Sequence, residues 1–597
     1  MAPKYEVKQT AISSLLEDVR QEKIAIPELQ RPFVWDSVKV RDLMDSLYNG
    51  YPVGYLITWQ SVGAHLKGGA VAKFQQILID GQQRVTALRA AVAGLPVVNK
   101  AYKNVRIRIA FNPLTQEFAT LTPVIDKNPE WISDISEFFS AASQLTFVRT
   151  YLEANAGLDP ALVESSITRL DGIRNAQIGI ISLNDDLDVE TVSEIFIRIN
   201  SKAVPLSSAD FAMSKIATYG DTGRNLRKLI DYFCHLAVAP HVYDDIAGND
   251  QEFAATPYLK AISWLKDDSE ELYDPSYGDI IRVAGLVGFS RGRASAIVSE
   301  LSGRDPETRK VDEDRIPMAF EALEQALLEI VRKYHFENFL MIIKSAGFIT
   351  SSMVGSKNAL NFAYALYLRL RADSTMAEGE RKRIVRRWFV MSMLTGRHSG
   401  SFETRWEQDI RRIGEQGAAA YLKQVEDAEL TDGFWTVALP ANLETTSAIS
   451  PYFQAFLASQ VASGARGFLS KSITVAAMHQ QAGDIHHLVP KDYLQKNGYP
   501  DRGDYNQVAN YALTETSVNI SIGNKPPAIY LDDVDRQIET GELKLGEIVS
   551  LSELAQNFRE NAIPGFMRSV DASSYPEFLL ERRKLMAAAI RRHFETL

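Results

Sequence analysis

A single cysteine, Cys234, stands in 597 residues. An internal disulfide is excluded, and so is a zinc site built on paired thiolates. No apolar run approaches the roughly 20 residues that a membrane-spanning helix needs. The first residues, Met-Ala-Pro-Lys-Tyr-Glu-Val-Lys, lack the apolar centre of a secretion signal. A cytoplasmic protein without membrane association is the expectation. Basic residues are in deficit: 65 Lys and Arg stand against 75 Asp and Glu, a net charge of −10. That balance argues against coating nucleic acid by charge alone. It leaves room for a local basic groove, for which Arg381-Lys-Arg-Ile-Val-Arg-Arg387, Arg582-Arg-Lys584 and Arg591-Arg592 are the candidates. Each is equally readable as a solvated helix face. Internal repeats and low-complexity tracts are also lacking.

What is present is an ordinary globular composition, 46% hydrophobic and 23% charged, at a length of roughly three or four domains. Cys234, within Tyr232-Phe-Cys-His-Leu236, reads as buried core. Asp36-Ser37 can cap a helix whose apolar residues Val40, Leu43, Met44 and Leu47 form one stripe, ended by Asn49-Gly50. Phe74 to Ile79 reads as a strand, followed by a helix through Val85, Leu88 and Val92 that Gly94 and Pro96 stop. Val105 to Phe111 alternates at period two, as a half-buried strand does, with Asn112-Pro113 as its turn. Ile178 to Leu183 reads as a further strand. From about residue 216 to 430 helical patterns take over, as in Met318 to Tyr334 and Ala359 to Arg371. A boundary falls near Thr431-Asp-Gly433, Pro440 and the polar run Glu444 to Ser450.

Ile77-Leu-Ile-Asp80-Gly81-Gln82-Gln83-Arg84-Val-Thr-Ala-Leu88 is strand, tight turn and helix. A helix start exposes unpaired N–H groups and a partial positive charge, which suits an anion such as phosphate. Gly81 lets backbone come close, and Arg84 can fork onto phosphate oxygens. Asp80 can hold a metal, a ribose hydroxyl or a water, and Gln82 and Gln83 can position water. A capped strand–helix junction with a surface arginine explains the same spacing.

Near the other end, Gly483-Asp484-Ile485-His486-His487-Leu488-Val489-Pro490 places two adjacent histidines in a short apolar run. In a strand, neighbouring side chains point to opposite faces. One imidazole can then face a metal while the next faces a water. Asn510, Asn519 and Lys525 follow. A neutral imidazole accepts a proton near pH 7, so a histidine facing water can serve as a general base. Mg2+ prefers oxygen ligands, so Asn519 suits it, while His486 admits softer ions such as Mn2+, Ni2+ or Zn2+. Asp484 can orient an imidazole or stand behind a ligand. Five further histidines, His65, His235, His241, His335 and His593, have no such company and read as structural. Gly396-Arg397-His398-Ser-Gly-Ser401 is a candidate DNA or interdomain contact.

Two more segments carry a resemblance. Ile26-Pro27-Glu28-Leu29-Gln30-Arg31-Pro32-Phe33-Val34-Trp35 and Ile195-Phe196-Ile-Arg198-Ile-Asn200-Ser201-Lys-Ala-Val-Pro205-Leu206 flank the Asp80–Arg84 turn in order. Residues 8 to 215 resemble the N-terminal domain of the GmrSD family of modification-dependent restriction enzymes, related to ParB and sulfiredoxin folds. The third segment departs from the family pattern at Ala203, where glycine is usual. The resemblance implies that Asp80, Gly81, Gln82, Gln83 and Arg84 bind and help hydrolyse a nucleoside triphosphate. Asp80 and Gln83 would be catalytic there, with Gln30 and Arg31 beside them and Arg198 and Asn200 closing the pocket. His487-Leu-Val-Pro490, Asn510, Asn519 and Lys525 resemble the HNH nuclease that many family members carry, with Ala509 where glycine is usual. There His487 and Asn510 serve catalysis, and His486 and Asn519 hold one divalent metal, Mg2+ or Mn2+.

The expected fold is multidomain and mainly α. An α+β ParB/sulfiredoxin-like nucleotide-binding and DNA-sensing domain spans 1–215, a helical domain 216–430, and a ββα-metal (HNH) nuclease domain with terminal helices 431–597. The expected function is a nucleotide-regulated endonuclease of antiphage defence that cuts modified DNA, glucosylated or phosphorothioated, with the helical domain coupling its two sites. A nucleotide-gated DNA-binding regulator without nuclease activity is the alternative. A structural metal module would call for four protein ligands, and too few are in view. A homodimer is left open.

Overall fold

Five strands carry the amino-terminal half of the protein. The computed structural model describes residues 4–21, 23–25, 35–60, 76–98, 104–184, 187, 191–192, 195, 208–268, 270–304, 312–480 and 484–597. It divides into two units, the first made of Met1–Asp268, Pro275–Ile281 and Arg293–Leu327, the second of Ser269–Asp274, Arg282–Gly292 and Leu328–Leu597.

In the first unit, β1 (Tyr5–Ala11), β2 (Ile24–Ala25), β3 (Tyr55–Gln60) and β4 (Gln76–Asp80) join a late strand, β9 (Gln177–Leu183). Between them in sequence come β5 (Val97–Val98), β6 (Asn104–Val105), β7 (Ile109–Asn112) and β8 (Glu117–Thr120), which form two separate hairpin-like pairs. The main sheet runs β1-β9-β3-β4-β2. β1 lies antiparallel to β9, from Tyr5 opposite Leu183 to Ala11 opposite Gln177, and β9 runs parallel to β3. β3 and β4 are antiparallel, and the ladder shifts register between Ile57 and Thr58. One step on β3 there faces two residues of β4, immediately before Asp80. Bulges of this kind re-aim side chains at the end of a strand.

Helices α1 (Ile12–Arg20), α2 (Ser37–Tyr48) and α3 (Gln82–Ala91) bury their apolar sides in one core with Leu56 and Leu78 of the sheet. The α2 stripe is as its spacing foretells: Val40, Leu43, Met44 and Leu47 are all buried, and Asp36 caps the helix by accepting from the Lys39 N–H at 2.9 Å. Each fully buried aliphatic side chain contributes about 1.5–3 kcal/mol. The alternating run Val105 to Phe111 does not form one strand. Exposure still alternates over 105–108, but β8 pairs only with Ile109–Asn112, and all four of those residues are buried. Asn112 makes the following turn by accepting from the Leu114 and Thr115 N–H groups.

Beyond this sheet the chain is helical, including Lys357–Ala372, Glu378–Thr395 and Phe402–Gln416. The pattern over Met318 to Tyr334 belongs to two helices, Arg315–Ile330 and Lys333–Ser345, because Arg332 adopts an extended backbone between them. Cys234, in helix Gly220–Val238, is half-buried rather than fully inside the core.

The Gly396–Ser401 segment is structural. Gly396, at φ 63°, ends the helix Glu378–Thr395 and turns Arg397 inward. Arg397 donates to Asp409 Oδ2 at 3.0 Å and pairs with Glu429; Tyr421 donates to Asp409 Oδ1 at 2.9 Å. His398 Nε2 lies 3.3 Å from Asp409 Oδ2. The Arg397 side chain is 4% exposed and that of His398 0%, so neither reaches DNA. Burial alone would raise the Asp409 carboxyl, but hydrogen bonds from His398 and Arg397 outweigh it and hold the group below the usual carboxylate value. Removing one partner of a buried pair leaves an uncompensated charge and costs about 3–5 kcal/mol. Asp409→Ala should therefore lower the unfolding free energy of the second unit by that amount, measured by urea denaturation near pH 7. Because the folded value is depressed, the contribution is present above the unfolded carboxylate value and fades as pH falls through the folded one. The variant's deficit should shrink in strong acid.

Candidate active sites

The Asp80–Arg84 turn sits where β4 meets α3. Gly81 caps the helix at φ 94°, a left-handed conformation that glycine adopts without strain. A Cβ there would lie 2.2 Å from Leu56 Cδ2, so the turn is closed tightly against β3. Arg84 lies back across the turn. It donates to Asp80 Oδ2 at 2.9 Å and to the Val53 carbonyl at 2.9 Å. Gly54 makes room for it: a Cβ at that position would stand 2.7 Å from Arg84 Nη1. The pair is one-fifth to one-quarter exposed, so it borders solvent. Gln82 donates to the Leu78 carbonyl at 3.3 Å, while Gln83 sits half-buried on the first turn. Asp80, Gly81, Gln82, Gln83 and Arg84 are thus together. Gln30, Arg31, Arg198 and Asn200 lie outside the described residues, as does Ala203.

The second site is a two-stranded sheet and a helix within the second unit. β10 (Asp484–His487) pairs antiparallel with β11 (Tyr511–Thr514), His486 opposite Ala512 and His487 opposite Tyr511. Helix Thr516–Ile522 follows directly and carries Asn519. Strand alternation separates the two imidazoles. His486 is 2% exposed, lies parallel to Phe468 with ring centroids 5.8 Å apart, and has Nδ1 2.8 Å from Asn519 Oδ1. His487, half-buried, has Nε2 2.9 Å from Asn506 Oδ1 and meets Tyr511 edge-on at 5.1 Å. Burial pushes His486 down to about 4, with the neighbouring His487 adding to the shift and the Asn519 bond opposing it. Burial also lowers His487, against the Asn506 bond. Both rings are therefore neutral near pH 7, which is the state a metal ligand or a general base requires.

Asn510 is fully buried at the start of β11. Its Oδ1 accepts from the Val489 N–H at 2.8 Å, and its Nδ2 donates to the carbonyls of Val489 and Tyr505 at 3.0 and 3.2 Å. It thereby staples the turn that follows His487. Asp484 accepts from Asn519 Nδ2 at 3.3 Å. Lys525 is drawn to Asp533 at 2.9 Å, away from the histidines.

His486 Nδ1 donates to Asn519 Oδ1, because a carboxamide oxygen can only accept, so the lone pair of this neutral ring lies on Nε2, which is buried with no hydrogen-bond partner; in this arrangement the pair would have to open before both side chains could hold a metal. Among the described residues no group of three or more His, Cys, Asp or Glu side chains could enclose an ion.

Two contributors carried no sequence signal, and a third, Arg582, stood out in sequence only as part of a basic run. Asn506 lies outside every spaced motif and reaches His487 only through the fold. Tyr530 donates to the Leu488 carbonyl at 2.9 Å, behind the histidine turn. Arg582, 0% exposed, donates to the Ala509 carbonyl at 2.8 Å. The basic run 381–387 is largely committed inside the unit: Arg387 forks onto Glu426 at 2.8 Å, Arg381 donates to the carbonyls of Leu370 and Met376, and Lys382 pairs with Glu378. Arg591 likewise pairs with Asp432 and Glu595. No described helix is long and apolar enough to cross a membrane.

Residues 12–217 match the family described as GmrSD restriction endonuclease, N-terminal domain. No curated protein matches the chain. The match takes in the whole Asp80–Arg84 turn together with the strands β3, β4 and β9, so residues 12–217 of the chain carry a domain of the GmrSD restriction endonuclease N-terminal type.

Proposed function

We propose that the protein is a nucleotide-regulated, modification-dependent DNA endonuclease of antiphage defence. Its nuclease would be a ββα-metal (HNH) domain in the carboxy-terminal part. The family match supports DNA restriction as the general task. The observation that carries the nuclease reading is the pairing of His486 with Asn519 on one side of β10 while His487 stands free of that pair on the next position. In this reading His486 and Asn519, once their mutual hydrogen bond opened, would hold one divalent ion, Mg2+ or Mn2+, which would supply neutralisation of charge on the scissile phosphate and the leaving 3′ oxygen. His487 takes a proton from the attacking water. Asn510 keeps the His487 turn in place through Val489. The His486–Phe468 stack and the buried Asn510 exclude water behind the site, which strengthens each electrostatic contact within it.

In the same reading the Asp80–Arg84 turn binds the nucleoside triphosphate. Arg84 exchanges its bond to Asp80 for one to a phosphate oxygen, and the freed Asp80 turns to water, a ribose hydroxyl or a metal. Exchanging one charge-assisted hydrogen bond for another is energetically mild, so the resting ion pair is compatible with ligand entry. A nuclease loose in its own cytoplasm would cut host DNA, which is the reason to expect nucleotide state and nicking to be linked. Such coupling of binding energies is reciprocal.

His487→Ala should reduce nicking of a supercoiled plasmid by about 10²–10⁴-fold, the usual worth of a general base, and leave nucleotide hydrolysis unchanged. Unmodified, glucosylated and phosphorothioated plasmids should be compared. A wild-type protein that cuts none of them ends the nuclease reading.

Cleavage should stop in excess EDTA and return with Mn2+. Asn519→Ala should raise the half-saturating metal concentration by about 10–100-fold, the range typical when support for a bound metal is lost. A metal titration of the nicking rate measures this directly.

Asp80→Ala and Arg84→Ala should each suppress nucleoside triphosphate hydrolysis at least tenfold (about 1.4 kcal/mol), assayed by phosphate release with all four nucleotides. Normal hydrolysis in both variants would assign the turn a purely structural role.

A further inference from the structure

The partner of His487 sets a direction for proton transfer. A carboxamide oxygen carries no hydrogen and can only accept. With Asn506 Oδ1 2.9 Å from His487 Nε2, the ring proton belongs on Nε2. A neutral imidazole then has its lone pair on Nδ1.

Asn506 is also held in place. It lies in the segment Asp504–Asn510, which the carboxy-terminal helix Tyr575–Thr596 grips at three points. Tyr575 donates to the Asp504 carbonyl at 3.0 Å, Arg583 to Gln507 Oε1 at 3.3 Å, and the buried Arg582 to the Ala509 carbonyl at 2.8 Å. From inside, Asn510 donates to the Tyr505 carbonyl at 3.2 Å. The residues on both sides of Asn506 are therefore anchored, and its side chain is presented to His487 from a fixed backbone.

Resting on the nuclease reading above, we infer that Asn506 is the positioning residue of the cleavage reaction: it fixes the His487 proton on Nε2 and so makes Nδ1 the atom that accepts a proton from water. In the step this serves, a bond forms between the water oxygen and phosphorus. The bond from phosphorus to the 3′ oxygen breaks, the water proton passes to Nδ1, and solvent protonates the departing 3′ oxygen. Asn506 touches neither water nor phosphate and acts only through the ring.

The experiment uses the full chain and whichever of the three plasmids the wild type nicks fastest. Asn506→Ala should lower kcat by about 10–100-fold, as loss of a partner that orients a functional imidazole does. KM and the half-saturating Mn2+ concentration should stay within twofold, which separates this role from that of Asn519. Asn506→Asp should retain at least a third of wild-type kcat, because a carboxylate at that place accepts from Nε2–H and cannot donate. Should the alanine variant fail to fold, Asn506→Leu, similar in size and without an acceptor, takes its place. A kcat within threefold of wild type in the alanine or leucine variant overturns the inference, and so does an equal loss in Asn506→Asp. His487→Ala is run alongside. If it nicks at the wild-type rate, the base assignment itself has failed. If it is inactive while Asn506→Ala or Asn506→Leu is normal, only the role of Asn506 has failed.

Discussion

The second unit turns on one buried carboxamide. Asn510 has no exposure to solvent, and its hydrogen bonds to Val489 and Tyr505 join three pieces of chain: the turn after β10, the segment before β11, and β11 itself. The reason it can do this is chemical. A carboxamide both donates and accepts, so it satisfies the N–H and the C=O of Val489 at once, where a carboxylate or an alkyl group could satisfy at most one. Each such bond contributes about 0.5–1.5 kcal/mol net, whereas leaving a buried partner unmet costs about 1–3 kcal/mol. The turn that follows His487 and the backbone just before Asn506 are both held by this residue.

Electrostatics in this protein is mostly inward. The positive runs that look like a DNA surface in sequence are largely consumed by neighbours: Arg387 by Glu426, Arg397 by Asp409 and Glu429, Arg583 by Glu444. Arg582 has no exposed surface and is met by the carbonyls of Ala509 and Asn561. Burial pushes it down to about 9, and the carbonyl oxygens are what keep a guanidinium tolerable there. Buried arginines of this sort position backbone rather than attract phosphate. The net charge of −10 is consistent with that economy. It also means that DNA contact would rest on a limited set of exposed side chains rather than on a broad positive field.

Local rules account for much of the fold. The α2 helix follows from its stripe and its Asp36 cap, and the turn after β7 from Asn112. The Asp80-Gly81 junction follows from the need for a left-handed residue between strand and helix. Where reading by period failed, the cause lay in partners distant in sequence. Val105 to Phe111 has the right alternation, yet strands exist only where a partner pairs with it: β5 at Val105 and β8 from Ile109 on. Cys234 and the Gly396–Ser401 segment show the same limit from opposite sides. One is more open than its apolar neighbours suggest, and the other more deeply buried than its charges suggest.

The order of residues determined which groups can meet. Adjacent histidines in a strand must face apart, a glycine must follow Asp80 for the chain to turn, and an asparagine on the helix after β11 lies within reach of β10. Those are consequences of strand and helix periodicity, which are properties of the backbone alone. Only the tertiary structure decided which histidine is buried and which is half-open, that Arg84 rests on Asp80 and Val53, and that Asn506 is the partner of His487. Burial and long-range hydrogen bonds are properties of the packed chain. They depend on residues such as Tyr575 and Arg582, 71 and 73 positions away from the groups they act on, and no local pattern encodes that distance.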